Sequence, residues 1–147
     1  MVDVEKELGP LFDKLDAQKK LREEESQKYV QELHAQYTEF NGLVDTTIYP
    51  VMRDYQIYLQ KRSIMADISR EPRPGLQSLP SIKFSMMDTN ILSGGTYPSL
   101  KFGPIEGSIR VITEGKKPSA NRHSKDQINQ DFVKSKLTDL IKSCYDA

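Results

Sequence analysis

The chain of 147 residues contains one cysteine, Cys144, and two histidines, His34 and His123. A lone thiol excludes an internal disulfide and any site assembled from several cysteines. Two histidines so far apart lack the spacing of a zinc site. No run approaches the roughly 20 consecutive apolar residues that a membrane span requires. The opening residues, MVDVEKELGPLF, carry carboxylates and no apolar core of signal-peptide length. The expectation is therefore a soluble, cytoplasmic protein with no membrane partner.

Excess charge of one sign is also missing. Lys plus Arg and Asp plus Glu number 21 each, so the formal net charge is +0. A field over the whole molecule that gathers nucleic acid or anionic lipid is absent; only a local patch could do so. Catalytic signatures are missing too: the sequence has no P-loop, no glycine-rich dinucleotide fingerprint, no nucleophile elbow and no His-Glu-x-x-His helix. Gly94-Gly95 has neither a strand-to-helix context nor a following lysine. Glu23-Glu24-Glu25 reads as a solvated run on a helix, because paired acid–base carboxylates need a pocket that separates their pKa values. No catalytic residue, cofactor or metal ligand is expected.

What is present is a long helical pattern. Hydrophobic residues make up only 37% of the chain and charged residues 29%, which suits one modest core beside a solvated segment. AQKKLREEESQK consists almost wholly of good helix formers, with Glu24 and Lys28 in the favourable i, i+4 order. Apolar positions there are sparse: Leu8, Leu11, Phe12, Leu15 and Leu21. Pro10 suits a first-turn position.

From Val30 the apolar stripe thickens. Val30, Leu33, Tyr37, Phe40, Val44, Ile48, Val51, Tyr55 and Tyr58 succeed one another at spacings of three or four. Asn41-Gly42 and Pro50 interrupt the composition of this stripe but not its phase. Two readings stay open: one helix kinked at Pro50, or two helices with the second capped by Thr46 or Thr47. The two successive steps of four at Phe40–Val44–Ile48 are a stutter, which relaxes left-handed supercoiling. Upstream of the stutter the helix suits a coiled coil; downstream it suits a helix lying on a core.

After Arg62 the period becomes two. SIMADIS, SIKFSMM, YPSLKF and SIRVIT alternate apolar and polar residues. EPRPG, the Gly94-Gly95 segment and GPIEG separate them as turns. This pattern predicts four strands in an antiparallel meander, apolar on one face. GKKPSANRH reads as a loop. Ser124-Lys125-Asp126-Gln127 is a capping box opening a last helix whose face is Ile128, Phe132, Leu137, Leu140, Ile141 and Cys144. The expected fold is α+β: a long N-terminal helix, a four-stranded antiparallel sheet and a C-terminal helix on the sheet. Residues 1–44 form an extended amphipathic segment and 45–147 a small α+β domain.

Function is expected to lie in surfaces. A helix of about 50 residues would be about 75 Å long, whereas a domain of about 100 residues has a radius of gyration near 13 Å. The domain cannot cover such a helix. Its face at Val30, Leu33, Tyr37, Phe40 and Val44 therefore folds back, self-associates as a dimer or binds another protein. A non-enzymatic assembly module is the leading expectation. The alternative is an anion- or nucleic-acid-binding domain that uses Arg110, Lys116, Lys117, Arg122 and Lys125 around the last helix start. A small-molecule binder with a pocket between sheet and helices is the third reading.

Overall fold

A computed structural model of the chain describes residues 3–71, 79–92 and 95–145. The chain divides into two compact units, Met1–Ala35 and Gln36–Ala147. The first is helical throughout nearly all its described residues. Helix α1, Val4–Leu43, begins earlier than Pro10 suggested, so Pro10 lies inside it. Asp3 opens the helix: its Oδ1 accepts from Lys6 N at 3.2 Å and its carbonyl accepts from Glu7 N at 3.2 Å.

The interruption at Asn41–Pro50, left open between a kink and a second helix, is a change of pitch within a continuous helical path. Val44–Ile48 form a π turn, and α2, Tyr49–Lys61, comes directly after it. Tyr49 N donates to Val44 O, five residues back. Pro50 then sits at the start of α2, where its missing N–H is tolerated. Thr46 does not cap a new helix; its hydroxyl donates backward to Gly42 O at 2.8 Å. The wider π turn matches steps of four residues, so Phe40, Val44, Ile48 and Met52 all face inward. Beyond it the buried stripe runs through Val51, Met52 and Leu59, with Tyr55 partly buried. Tyr58, expected on that stripe, is outside it, and the Arg62 guanidinium lies 5.6 Å from its ring. Ser63 stops α2 in the left-handed region at φ 62. Ile64 N donates to Leu59 O and Ser63 N to Gln60 O, the paired bonds of a Schellman ending.

The sheet has five strands, not four: β1 (Ala66–Glu71), β2 (Ser81–Met86), β3 (Ser99–Ile105), β4 (Ser108–Glu114) and β5 (Ser119–His123). All neighbours are antiparallel, in the order β1-β2-β3-β4-β5. The fifth strand, SANRH, is the last part of the stretch GKKPSANRH read as a loop. GPIEG is not all turn either. Pro104 continues β3, and Glu106-Gly107 alone make the bend, both at positive φ (44 and 78). Pro104 is harmless there because the pairing of β2 with β3 ends at Phe102, so no neighbour requires its N–H on that side. The turn expected at EPRPG, and Gly94, lie outside the described residues, apart from Glu71 at the end of β1.

One face of the sheet carries the core of the second unit. Ile82, Phe84, Met86, Leu100, Phe102, Ile109 and Val111 are buried against α2 and α3 (Gln130–Tyr145). From α3 come Val133, Leu137, Leu140 and Cys144; Phe132 and Ile141 are only partly buried. The capping box at Ser124 forms, but it closes a short 3-10 turn, Lys125–Gln127. Asn129 starts α3, its Oδ1 accepting from Phe132 N at 2.8 Å. Tyr55 joins the two helices: its hydroxyl lies 2.7 Å from Thr138 Oγ1 and donates to Lys134 O at 3.2 Å.

Candidate functional site

This arrangement leaves two kinds of surface. The first is the helical unit, residues up to Ala35. Leu8, Leu11, Phe12, Leu15, Leu21, Tyr29 and Val30 are all exposed. A single helix has no second element against which to bury an apolar stripe. Five residues were expected to form the partner face, and they divide. Val30 is exposed and Leu33 and Tyr37 are half-buried. Phe40 and Val44 are 1% and 0% exposed and belong to the core of the second unit. They hold the π turn against that core, and no partner can reach them without unfolding it.

The second surface is cationic. The five basic residues expected to act together are dispersed. Arg110 points from the sheet face opposite the helices and lines a groove of about 180 Å³ with Lys101, Ile112 and Leu79. Arg122 stands directly across from Arg110 on β5, an unfavourable like-charge pairing. It turns to Glu106 instead, with Nη1 3.3 Å from Oε2 and Nη2 3.3 Å from the carbonyl. Lys125 forms an ion pair with Glu39. Lys116 and Lys117, in the β4–β5 turn, are the two that stay together.

They meet two lysines that sequence reasoning missed. Lys136 and Lys142 of α3 line the same cavity, about 560 Å³ in volume, and so does the carboxylate-bearing Asp139. Thr113 and Ser119, paired across β4 and β5, supply hydroxyls to its wall, and Leu140 supplies apolar surface. Ser143 also lines it, its hydroxyl donating to Leu140 O at 2.7 Å. Among the described residues none of these four lysines has a carboxylate within ion-pair distance. Lys136 Nζ lies 5.6 Å from the Phe132 ring centre, which leaves its charge unneutralised. Gly115 starts the turn that carries Lys116 and Lys117. It sits at φ 145, and a Cβ there would lie 3.3 Å from Pro98 Cβ, so glycine is required.

A further cavity of about 560 Å³ lies where α2 meets β1, lined by Arg53, Gln56, Gln60 and Met65 among others. Its polar groups are largely engaged with one another: Arg53 Nη1 donates to Gln56 Oε1 at 2.6 Å, and Gln56 Nε2 to Ala66 O at 2.9 Å.

His123, the last residue of the stretch read as a loop, ends β5 on the helix side of the sheet. Its ring meets Phe132 edge-on at 4.9 Å, and Nε2 is buried without a hydrogen-bond partner among the described residues. Burial pushes the Cys144 thiol above its ordinary pKa, which disfavours the thiolate that a nucleophile needs. Among the described residues no three of His, Cys, Asp and Glu come together to hold a metal ion. No described helix is long and apolar enough to cross a membrane. Comparison with protein-family models, with curated proteins and with solved structures finds no match to this chain.

Proposed function

We propose that this protein is a non-enzymatic assembly module that self-associates through the apolar side chains of α1. The observation that carries this reading is the exposure of the helical unit: Leu8 (42%), Leu11 (52%), Leu15 (47%) and Val30 (59%) have no covering element within it. Leu8, Leu11 and Leu15 are spaced three and four apart, as are Val30, Leu33 and Tyr37, the spacing of a seam between helices. Burying such side chains is worth roughly 1.5–3 kcal/mol each, before the cost of association. A second copy of the same helix offers a matching stripe, and a two-fold pairing of identical faces closes on itself. A reducing, cytoplasmic setting suits this reading, since the lone thiol would remain free there.

The test is a pair of variants of the full chain, Leu11→Glu and Val30→Glu, followed by sedimentation velocity and far-ultraviolet circular dichroism. Each variant is expected to shift the protein toward monomer while the melting of the sheet unit is unchanged. Association that survives both substitutions would refute the proposed face.

The lysine cavity supports a second reading as an anion-binding domain, because it brings Lys116 and Lys117 together with Lys136 and Lys142.

A further inference from the structure

The cavity beside the β4–β5 turn is lined by lysines from two separate elements. Lys116 and Lys117 reach it from the turn, and Lys136 and Lys142 from α3. Among the described residues, four lysines and the one carboxylate of Asp139 leave three formal positive charges around about 560 Å³. Like charges that share one cavity repel one another. An anion that enters offsets that repulsion through its attraction to the lysines.

We propose that this cavity binds a compact polyanion carrying two or more phosphate groups. The lining selects among anions. Among the described residues it contains no arginine, so the planar fork that grips a carboxylate in two places is missing from them; lysine acts as a point charge and suits phosphate oxygens from any direction. Among the described residues it contains no aromatic side chain on which a nucleobase could stack. A volume of this size lies within the range of small-molecule sites. The hydroxyls of Thr113 and Ser119 add donors on the sheet side. The cavity lies wholly within the second unit, so binding there stands whether or not α1 self-associates.

Titration calorimetry of the full chain with sodium tripolyphosphate tests the proposal. Parallel titrations use inorganic phosphate, citrate and a single-stranded oligothymidylate. Tripolyphosphate is expected to bind one per chain, more tightly than phosphate or citrate, and more weakly as salt is added. Lys117→Ala and Lys142→Ala should each weaken it by about tenfold, the effect of losing one close charge. Asp139→Asn should act in the opposite direction and tighten binding about threefold, by the same reasoning. That variant keeps the test independent of any loss of folding in the lysine variants. Absence of tripolyphosphate binding at low salt would overturn the proposal. So would citrate or oligothymidylate binding as tightly, or tripolyphosphate binding insensitive to all three substitutions.

Discussion

The placement of Phe40 in the core, and of Val30 on the surface, predicts a sharp difference between two apolar residues of one helix. Phe40 is 1% exposed and among the largest fully buried side chains. Replacing it with alanine removes a ring from a cluster that includes Val44, Ile48 and the sheet residues. Phe→Ala at such a site costs about 3–5 kcal/mol, the sum of lost transfer energy and the cavity left behind. That is a large share of the roughly 5–15 kcal/mol that holds a small domain together. At about 4–5 °C per kcal/mol for a domain of this size, the melting midpoint falls by about 12–25 °C. The assay is a thermal melt followed by near-ultraviolet circular dichroism, which reports the tyrosines of the folded sheet unit. Val30→Ala, earlier on the same helix, should leave that midpoint nearly unchanged. A Phe40→Ala protein that melts within a few degrees of the parent would refute the reasoning, and would return Phe40 to a partner surface.

Other outcomes rest on local geometry. Gly42 lies in α1 with open space where a Cβ would be, so Gly42→Ala should stabilise the chain by about 0.5–1 kcal/mol in chemical denaturation. Ser63 occupies the left-handed position that ends α2, and Ser63→Gly should raise stability by up to about 1 kcal/mol in the same assay. Cys144 should react slowly with a chromogenic disulfide at mildly alkaline pH and become fast only on unfolding, because burial raises its pKa. Partial burial, a 3.1 Å hydrogen bond to Asp88 Oδ2 and that carboxylate's charge push the Tyr145 hydroxyl up to about 12. The folded state therefore favours the neutral phenol. Its contribution to stability is complete below pH 10 and is lost as the pH rises from 10 to about 12. Asp88→Asn should move the tyrosinate absorbance transition of Tyr145 downward toward 10.

Much of the fold could be read from spacing. The alternation in SIKFSMM and SIRVIT placed Ile82, Phe84, Met86, Ile109 and Val111 on the buried face, where they lie. The stutter at Phe40–Val44–Ile48 marked the π turn without identifying it, since a step of four fits both an α helix with shifted phase and a wider turn. Strand β5 was invisible for a physical reason. Ser119, Ala120, Asn121 and Arg122 are exposed, and none is β-branched or aromatic. Register with β4, a tertiary contact, makes them a strand. Met52 and Leu59 were missed because the stripe was continued through Val51 and Tyr58; counted from Ile48 along a regular α helix, Met52, Tyr55 and Leu59 lie nearer the centre of the buried arc than Tyr58 does. Only half of the lysine cavity was legible. Lys116 and Lys117 are adjacent in sequence, but Lys136 and Lys142 join them only because α3 lies over the sheet beside the β4–β5 turn. The i, i+3, i+7 spacing of Lys136, Asp139 and Ser143 was the one local signal that a polar edge of α3 faced something.

Sedimentation equilibrium of the full chain addresses self-association through α1 most directly. At high micromolar concentration the expected mass is a multiple of the 16.8 kDa chain and falls toward that value on dilution. A mass of one chain at every concentration would contradict it, since the exposed leucines of α1 would then have no counterpart in a second copy.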